Sequence, residues 1–209
     1  MTRRRHVIAA SLCVFLAAAG ATAVLVDRSP GHPAVASAYI GSRPPRGYRV
    51  PDFTLTSYRG TRVSMHSERG KVVVLTFLDT VCTDQCPPIA HAVGRGMARL
   101  SPALRARTVA LAVSVDPRRD TPVSVRRFLQ ERRALVMDFL TRPVPALFQV
   151  WKRYHILSSF SSGNDNIHSA DVMIIDPAGV WVSSLSDEID LTPASLAHDI
   201  RVASTDPAS

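Results

Sequence analysis

The stretch KVVVLTFLDTVCTDQCPPIA, residues 71–90, decides how the chain folds and where its chemistry lies. Its apolar, β-branched first part predicts a strand that is buried on both faces. Cys82 and Cys86 come directly after this strand, and the two prolines that follow suit the first turn of a helix, predicted from about residue 88 to 100. The order of strand, turn and helix places both thiols at the carboxyl end of a strand, where open α/β sheets bind ligands.

The position of Cys86 favours a chemical role over a structural one. Because a residue before proline avoids the helical region, Cys86 should lie at or just before the helix start. Free N–H groups at a helix N-terminus favour negative charge, so a thiol placed there should have a lowered pKa. A disulfide across four residues would close a very small loop and stabilise the fold little. A structural disulfide remains an alternative to a redox couple or a metal site.

Strand and helix patterns alternate along the rest of the chain. They predict a three-layer α/β domain with a central mixed sheet. Asp120 or Thr121 should cap the helix that follows the second strand, and Asp176 and Gly179 should form a turn. The predicted elements are a hairpin at 52–65, strands at 71–78, 108–116 and 134–141, helices at 120–133 and 144–156, a strand pair at 171–185 and a helix at 192–204.

The N-terminus predicts export. Residues 7–26 carry no charge and are long enough to span a hydrocarbon core of about 30 Å. The arginines before this run predict a single-pass anchor in the cell membrane, with the domain on the extracytoplasmic side. A cleaved signal peptide is the alternative. We therefore expect a basic N-terminus with an anchor or signal at 1–26, a flexible tether at 27–50, the domain at 51–200 and a frayed tail at 201–209.

Composition narrows the function further. The formal net charge is +8, but no cluster of basic and aromatic residues indicates nucleic-acid binding. Of the three cysteines, Cys13 lies inside the apolar run and should take no part in the chemistry. Outside the cytosol, Cys82 and Cys86 can be oxidised to a disulfide.

A metal site would need a third ligand, and the seven histidines are the obvious source. His168 is distinctive because it lies in a polar loop that leads into a buried strand. His91 should lie in the middle of a helix, on a different face from Cys86. A loop histidine taken alone is more often a surface residue than a ligand. The remaining histidines are assigned to the N-terminal segments (His6, His32), the hairpin (His66) and two helices (His155, His198).

Three motifs together resemble the Sco/SenC family: KVVVLTFLDTVCTDQCP, VSVDPRRDTP and HSADVMIIDPAG. Members of that family are membrane-anchored copper-binding proteins with a thioredoxin-like fold. The resemblance covers about residues 50–200. It implies that Cys82, Cys86 and His168 are copper ligands. Two positions depart from the family pattern: Asp79 stands where an aromatic or small residue is common, and Ile167 replaces an aspartate.

The resemblance implies a copper metallochaperone that serves the binuclear copper site of the copper-binding subunit of cytochrome c oxidase, or another copper protein. Two thiolates and one imidazole suit Cu(I), whereas structural zinc prefers four ligands. A thiol-disulfide oxidoreductase that keeps target cysteines reduced is the alternative, and it would not need His168. A peroxidase ranks third, because Asp79 stands where peroxiredoxins place a threonine.

Overall fold

The computed structural model describes residues 38–205, which form an α/β domain around one seven-stranded sheet. The predicted hairpin, strands and helices are all present. Two short helices were not predicted, because four or five residues are too few to show helical periodicity. The strands are β1 (Thr54–Ser57), β2 (Arg62–Ser64), β3 (Val72–Leu78), β4 (Thr108–Ser114), β5 (Asp138–Arg142), β6 (Val172–Ile175) and β7 (Trp181–Leu185). The helices are α1 (Cys86–Ala98), α2 (Pro102–Ala106), α3 (Pro122–Glu131), α4 (Val144–Arg153), α5 (Ser159–Ser162) and α6 (Pro193–Ala203).

The sheet is mixed, with the strand order β2-β1-β5-β4-β3-β6-β7. Strands β3, β4 and β5 are parallel neighbours at its centre. Strand β6 runs antiparallel to β3, with Leu75 paired to Met173 and Val73 paired to Ile175. The carboxyl end of β3 therefore lies beside the beginning of β6.

Alternation along β3 divides the core between the two faces of the sheet. Val72, Val74 and Leu78 pack in a cluster with apolar residues of α1, α3 and α6. Val73, Leu75 and Phe77 pack in a second cluster with residues of α4 and of β1. Helices thus cover both faces, which confirms the three-layer prediction.

Side-chain caps fix where two helices begin. Thr121 accepts a hydrogen bond from the Ser124 amide at 3.1 Å, so it is the cap of α3. Thr192 accepts one from the Ser195 amide at 3.0 Å, so it is the cap of α6. Helix α1 begins at Cys86, two residues before the predicted start, because prolines are tolerated in a first turn whose N–H groups have no helical partner.

The described part of the segment before residue 51 contacts the sheet. Ser42 and Arg49 form bridges with Ser184 and Val180 of the last strand region. The amide of Gly41 donates to the Asp199 carboxylate at 3.0 Å. Residues that we expected to belong to the tether therefore form hydrogen bonds with the domain.

The segment 7–26, which is the predicted anchor, and Cys13 lie outside the described residues. Within residues 38–205, no helix combines the length and the apolar character that a membrane crossing requires.

Candidate metal centre

Both cysteines lie where the sequence places them, in the turn between β3 and α1. Cys82 is 3% exposed, and Cys86, the first residue of α1, is fully buried. The Cys86 amide points at the Cys82 sulfur, with 3.5 Å between N and Sγ. Both thiols are free. The turn thus folds so that the first helical N–H group faces a sulfur atom.

His168 lies beside the two thiols. Its Nε2 atom is 3.2 Å from the Sγ atom of Cys86, and the side chain is buried. The potential ligand atoms of Cys82, Cys86 and His168 all lie within 4.8 Å of one another. Within residues 38–205, no other group of three His, Cys, Asp or Glu side chains has this spacing.

A backbone carbonyl orients the imidazole. Nδ1 of His168 lies 3.1 Å from the carbonyl oxygen of Ser169. Because a carbonyl oxygen only accepts, Nδ1 carries the hydrogen in this bond, and Nε2 faces the sulfur atoms. Ile167, at the position where the resemblance implies an aspartate, is 51% exposed. The Ser169 carbonyl therefore supplies an orienting contact without that carboxylate.

Asp79 stabilises the cysteine turn through hydrogen bonds to its backbone amides. Its buried carboxylate accepts the amides of Val81 at 3.0 Å and Cys82 at 2.6 Å through Oδ1. Its Oδ2 accepts the hydroxyl of Ser159, on α5, at 2.7 Å. One carboxylate thus fixes the position of Cys82 and also ties its turn to the segment that leads to His168.

Asp120 ties the same turn to β4. Its Oδ1 accepts the Thr80 amide at 2.9 Å, and its Oδ2 accepts the Ser114 hydroxyl at 2.5 Å. Burial raises the pKa of Asp120 to about 7, against the opposing effect of these hydrogen bonds. From the sequence, Asp120 was one of two candidates for the cap of α3. Its actual partners lie 40 and 6 residues away, and no local pattern shows such contacts.

Two further contacts hold the loop that carries His168. The side-chain oxygen of Asn166 accepts the Thr83 amide at 3.1 Å, which joins this loop to the cysteine turn. The Arg119 guanidinium binds both carboxylate oxygens of Asp165, at 2.7 and 2.9 Å. The loop is thereby attached both to the cysteine turn and to the segment just before α3.

The two thiols differ in acidity. The hydrogen bond with the Cys86 thiol lowers the pKa of Cys82 to about 3, with help from His168 and two backbone amides and against the effect of burial. Burial, and then the neighbouring Cys82, raise the pKa of Cys86. The expectation of a lowered pKa at Cys86 is therefore wrong. The helix-terminal amide stabilises the charge on the sulfur it faces, which belongs to Cys82.

His168 responds to the same charge. Burial alone would lower the pKa of the imidazole, but the Cys82 thiolate and the Ser169 carbonyl outweigh it and raise the pKa. Although Nε2 lies 3.2 Å from the Cys86 sulfur, the charge that acts on the imidazole is that of Cys82, because the raised pKa of Cys86 favours its protonated form. The buried site thus combines a thiolate, a thiol and an imidazole whose raised pKa favours its protonated form.

Other residues singled out in the sequence lie elsewhere. His91 is exposed on α1, and His198 contacts the Asp199 carboxylate at 3.0 Å. Asp176 accepts the Val180 amide at 2.8 Å, and Gly179 has a φ of 81°, so both are turn residues as predicted.

The fold and the site together define a thioredoxin-like protein with a buried Cys-Cys-His cluster. The family model SCO1/SenC matches residues 43–204, and the chain belongs to this family.

Individual relatives agree with this assignment. The SCO1 protein homolog of Bacillus subtilis is 26% identical over 170 residues, which cover 77% of this chain and 86% of that protein. The apo Sco1 protein of Thermus thermophilus is 25% identical with a TM-score of 0.65, covering 78% of this chain and 96% of that one. Copper-bound ScoI of Bradyrhizobium japonicum is 25% identical with a TM-score of 0.60, covering 75% of this chain and all of that one. The chain spans about half the length of the mitochondrial relatives that it also matches.

Proposed function

We propose that this protein is a copper metallochaperone that carries its metal on Cys82, Cys86 and His168. The observation that carries the proposal is the approach of their three ligand atoms to within 4.8 Å. Ligands about 2.0–2.3 Å from a metal lie roughly 3.5–4 Å apart in a three-coordinate site. The side chains would therefore need to move by less than about 1 Å to close around an ion.

The donor set favours copper as cargo. Two sulfur ligands and one imidazole nitrogen select a soft cation such as Cu(I), and the lowered pKa of Cys82 supplies one thiolate without cost near neutral pH. With three protein ligands, a further coordination position stays open to a ligand from an acceptor protein. The copper-bound relative of the same family supports this choice of metal.

The proposed recipient is the binuclear copper centre of a cytochrome c oxidase subunit, as expected from membership of the SCO1/SenC family. That role requires the domain to be outside the membrane. We propose that residues 7–26 anchor it there as a single span, ahead of a tether and the domain at 51–200. Membrane fractionation with a carbonate wash tests the anchor. Release of the whole domain into the exported soluble fraction would show that the segment is cleaved.

A thiol-disulfide oxidoreductase is the second candidate, and the lowered pKa of Cys82 favours it. In that reaction the Cys82 thiolate attacks a target disulfide and forms a mixed disulfide, releasing one target thiolate. Cys86 then loses its proton and attacks Cys82, so the second target thiolate leaves and the Cys82–Cys86 disulfide forms. The target gains two electrons. His168 forms no bond in either step, although it helps to lower the pKa of Cys82.

Copper competition separates the two functions. We expect the reduced protein to bind one copper ion, and His168→Ala to weaken binding by more than about 100-fold, the upper end of the loss from removing an outer-sphere partner. His91→Ala is the matched control, since His91 is an exposed histidine of α1. Disulfide exchange should persist in His168→Ala. Equal copper affinity in the two histidine variants would favour the oxidoreductase instead.

A further inference from the structure

A cavity of about 170 Å³ lies next to the candidate metal centre, and Ser169, the residue after His168, is part of its lining. It is smaller than the roughly 300–1,000 Å³ of typical small-molecule sites, so it suits a single side chain better than a cofactor. Its walls are mainly aromatic and thioether surface, from Tyr48, Phe77, Tyr154, Met173 and Trp181, and they also carry one carboxylate, Asp171, and one imidazole, His155.

The walls offer ring surface more than hydrogen bonds. The Tyr154 hydroxyl already donates to the Pro51 carbonyl at 2.6 Å. The Trp181 indole N–H already donates to the Ser183 carbonyl at 2.8 Å. Aromatic faces attract cations through their quadrupole, and tryptophan does so most strongly.

Asp171 adds a negative charge to this cavity. The residue is exposed, and among residues 38–205 it makes no ion pair. Although the residue is exposed, partial burial of its carboxyl, and then the charges of Asp190 and Glu188, raise its pKa. These carboxylates repel one another on a chain whose net charge is +8. A cation in the cavity would relieve that repulsion.

Ser169 links the cavity to the His168 imidazole. The Ser169 carbonyl is the group that orients His168, and Ser169 also exchanges hydrogen bonds with Leu157 in both directions, at 2.9 and 3.1 Å. Leu157 is 48% exposed and Ile167 is 51% exposed. A protein that placed a side chain in the cavity would meet apolar surface on either side of the His168 loop.

We propose that this cavity docks an arginine side chain of the protein that exchanges copper with this one; the inference rests on the proposed function. Arginine fits better than lysine because its planar, weakly hydrated guanidinium stacks on aromatic rings and pairs with a carboxylate through two hydrogen bonds. Docking at this point would place the partner's side chain against the wall that holds Ser169, the residue next to His168.

The test uses the full chain in detergent micelles and a capped Gly-Gly-Arg-Gly-Gly peptide. The matched peptide carries citrulline, which has almost the same shape but no charge. The chain has two tryptophans, so the indole N–H signals in a ¹H–¹⁵N spectrum give a reporter in the cavity, Trp181, and a buried internal control, Trp151. We expect the arginine peptide to shift the Trp181 signal and to bind about tenfold more tightly than the citrulline peptide.

Variants assign the effect to the cavity. Asp171→Asn should lower the affinity for the arginine peptide by a similar factor. Glu131→Gln makes the same charge change at the end of α3 and should leave that affinity unchanged. Copper affinity is measured on the same samples. Equal binding of the two peptides, or unchanged binding in Asp171→Asn, would overturn the docking site while intact copper binding leaves the proposed function standing. Loss of copper binding in the wild type would overturn the proposed function itself.

Discussion

The Nε2 atom of His168 lies 3.2 Å from the Sγ atom of Cys86, although 82 residues separate them in the chain. Sheet topology explains this approach. Because β6 runs antiparallel to β3, the residues just before β6 return to the carboxyl end of β3, where the cysteine turn begins. Strand order brings the two residues to the same edge of the sheet, and the contacts of Asp165, Asn166 and Ser169 then hold the His168 loop in place.

The ion pair of Arg119 and Asp165 should hold copper in place by steadying the His168 loop. An exposed pair contributes about 0.2–1 kcal/mol, so Asp165→Asn should speed copper release by up to about fivefold. Added salt should reproduce part of this effect in the wild type and little of it in the variant. Stopped-flow transfer of copper to a chelator measures the rate.

The conservative variant Asp165→Glu provides the control for this pair. It keeps a negative charge opposite Arg119 and should therefore retain copper nearly as well as the wild type. Arg59→Gln removes a comparable ion pair, with Asp138, on another part of the domain and should not change the release rate. Faster release in Arg59→Gln would mean that general destabilisation, not the loop, governs copper retention.

Asp79 should be needed for both stability and metal binding. Asp79→Ala leaves the amides of Val81 and Cys82 and the hydroxyl of Ser159 without their acceptor, at about 1–3 kcal/mol for each buried group. We expect Tm to fall by at least about 4 °C and copper affinity to fall with it. Asp84→Asn, at an exposed position in the same turn, is the control and should change neither. Normal copper affinity in a folded Asp79→Ala protein would show that the turn keeps its shape without this carboxylate.

Asp120 should give stability a pH dependence of predictable sign. Its pKa is about 7 in the folded protein and 3.8 when unperturbed, so the unfolded chain loses this proton first as pH rises. Its contribution is therefore complete below about 3.8 and is lost as pH rises to about 7. Urea unfolding between pH 4 and 8 should show the wild type losing stability relative to Asp120→Asn over this range. If the free energy of unfolding changed with pH in the same way in both proteins, the raised pKa of Asp120 would be contradicted.

Cys82 and Cys86 should behave as an unequal pair. Because the pKa of Cys82 is lowered to about 3 while that of Cys86 is raised, iodoacetamide should modify Cys82 at pH 5–6 and leave Cys86 intact. Cys86→Ala should slow this reaction, since it removes the thiol whose hydrogen bond lowers the pKa of Cys82. Mild oxidant should join the two cysteines, as judged by thiol labelling and peptide mapping. Persistence of both free thiols under oxidant would remove the redox couple.

Local sequence patterns predict most of the fold. The short, β-branched runs of β3 and β4 predict buried strands, and Thr121 and Thr192 mark two helix starts through short-range hydrogen bonds. The order of strands in the sheet was not predicted, because pairing between β1 and β5 depends on contacts far apart in the chain. The short helix α5 has no periodic signal, yet it carries Ser159, which binds the Asp79 carboxylate.

The site divides in the same way. The two cysteines and their place beside a helix start follow from a few neighbouring residues. His168 needed the family resemblance, because a histidine in a polar loop gives little signal by itself. Each of Asp79, Asp120 and Arg119 also makes a long-range contact, as between Asp79 and Ser159, 80 positions apart, and between Thr80 and Asp120, 40 positions apart. Such contacts become visible only when the strands are assembled.

X-ray absorption at the copper K-edge of the Cu(I)-loaded full chain tests the three-ligand site most directly. The account predicts two sulfur scatterers and one imidazole nitrogen in the wild type, with the imidazole signal lost in His168→Ala and kept in His91→Ala. One sulfur should disappear in each of Cys82→Ser and Cys86→Ser. An imidazole signal that survives in His168→Ala, or a wild-type spectrum with sulfur donors alone, would contradict the assignment of His168 as a copper ligand.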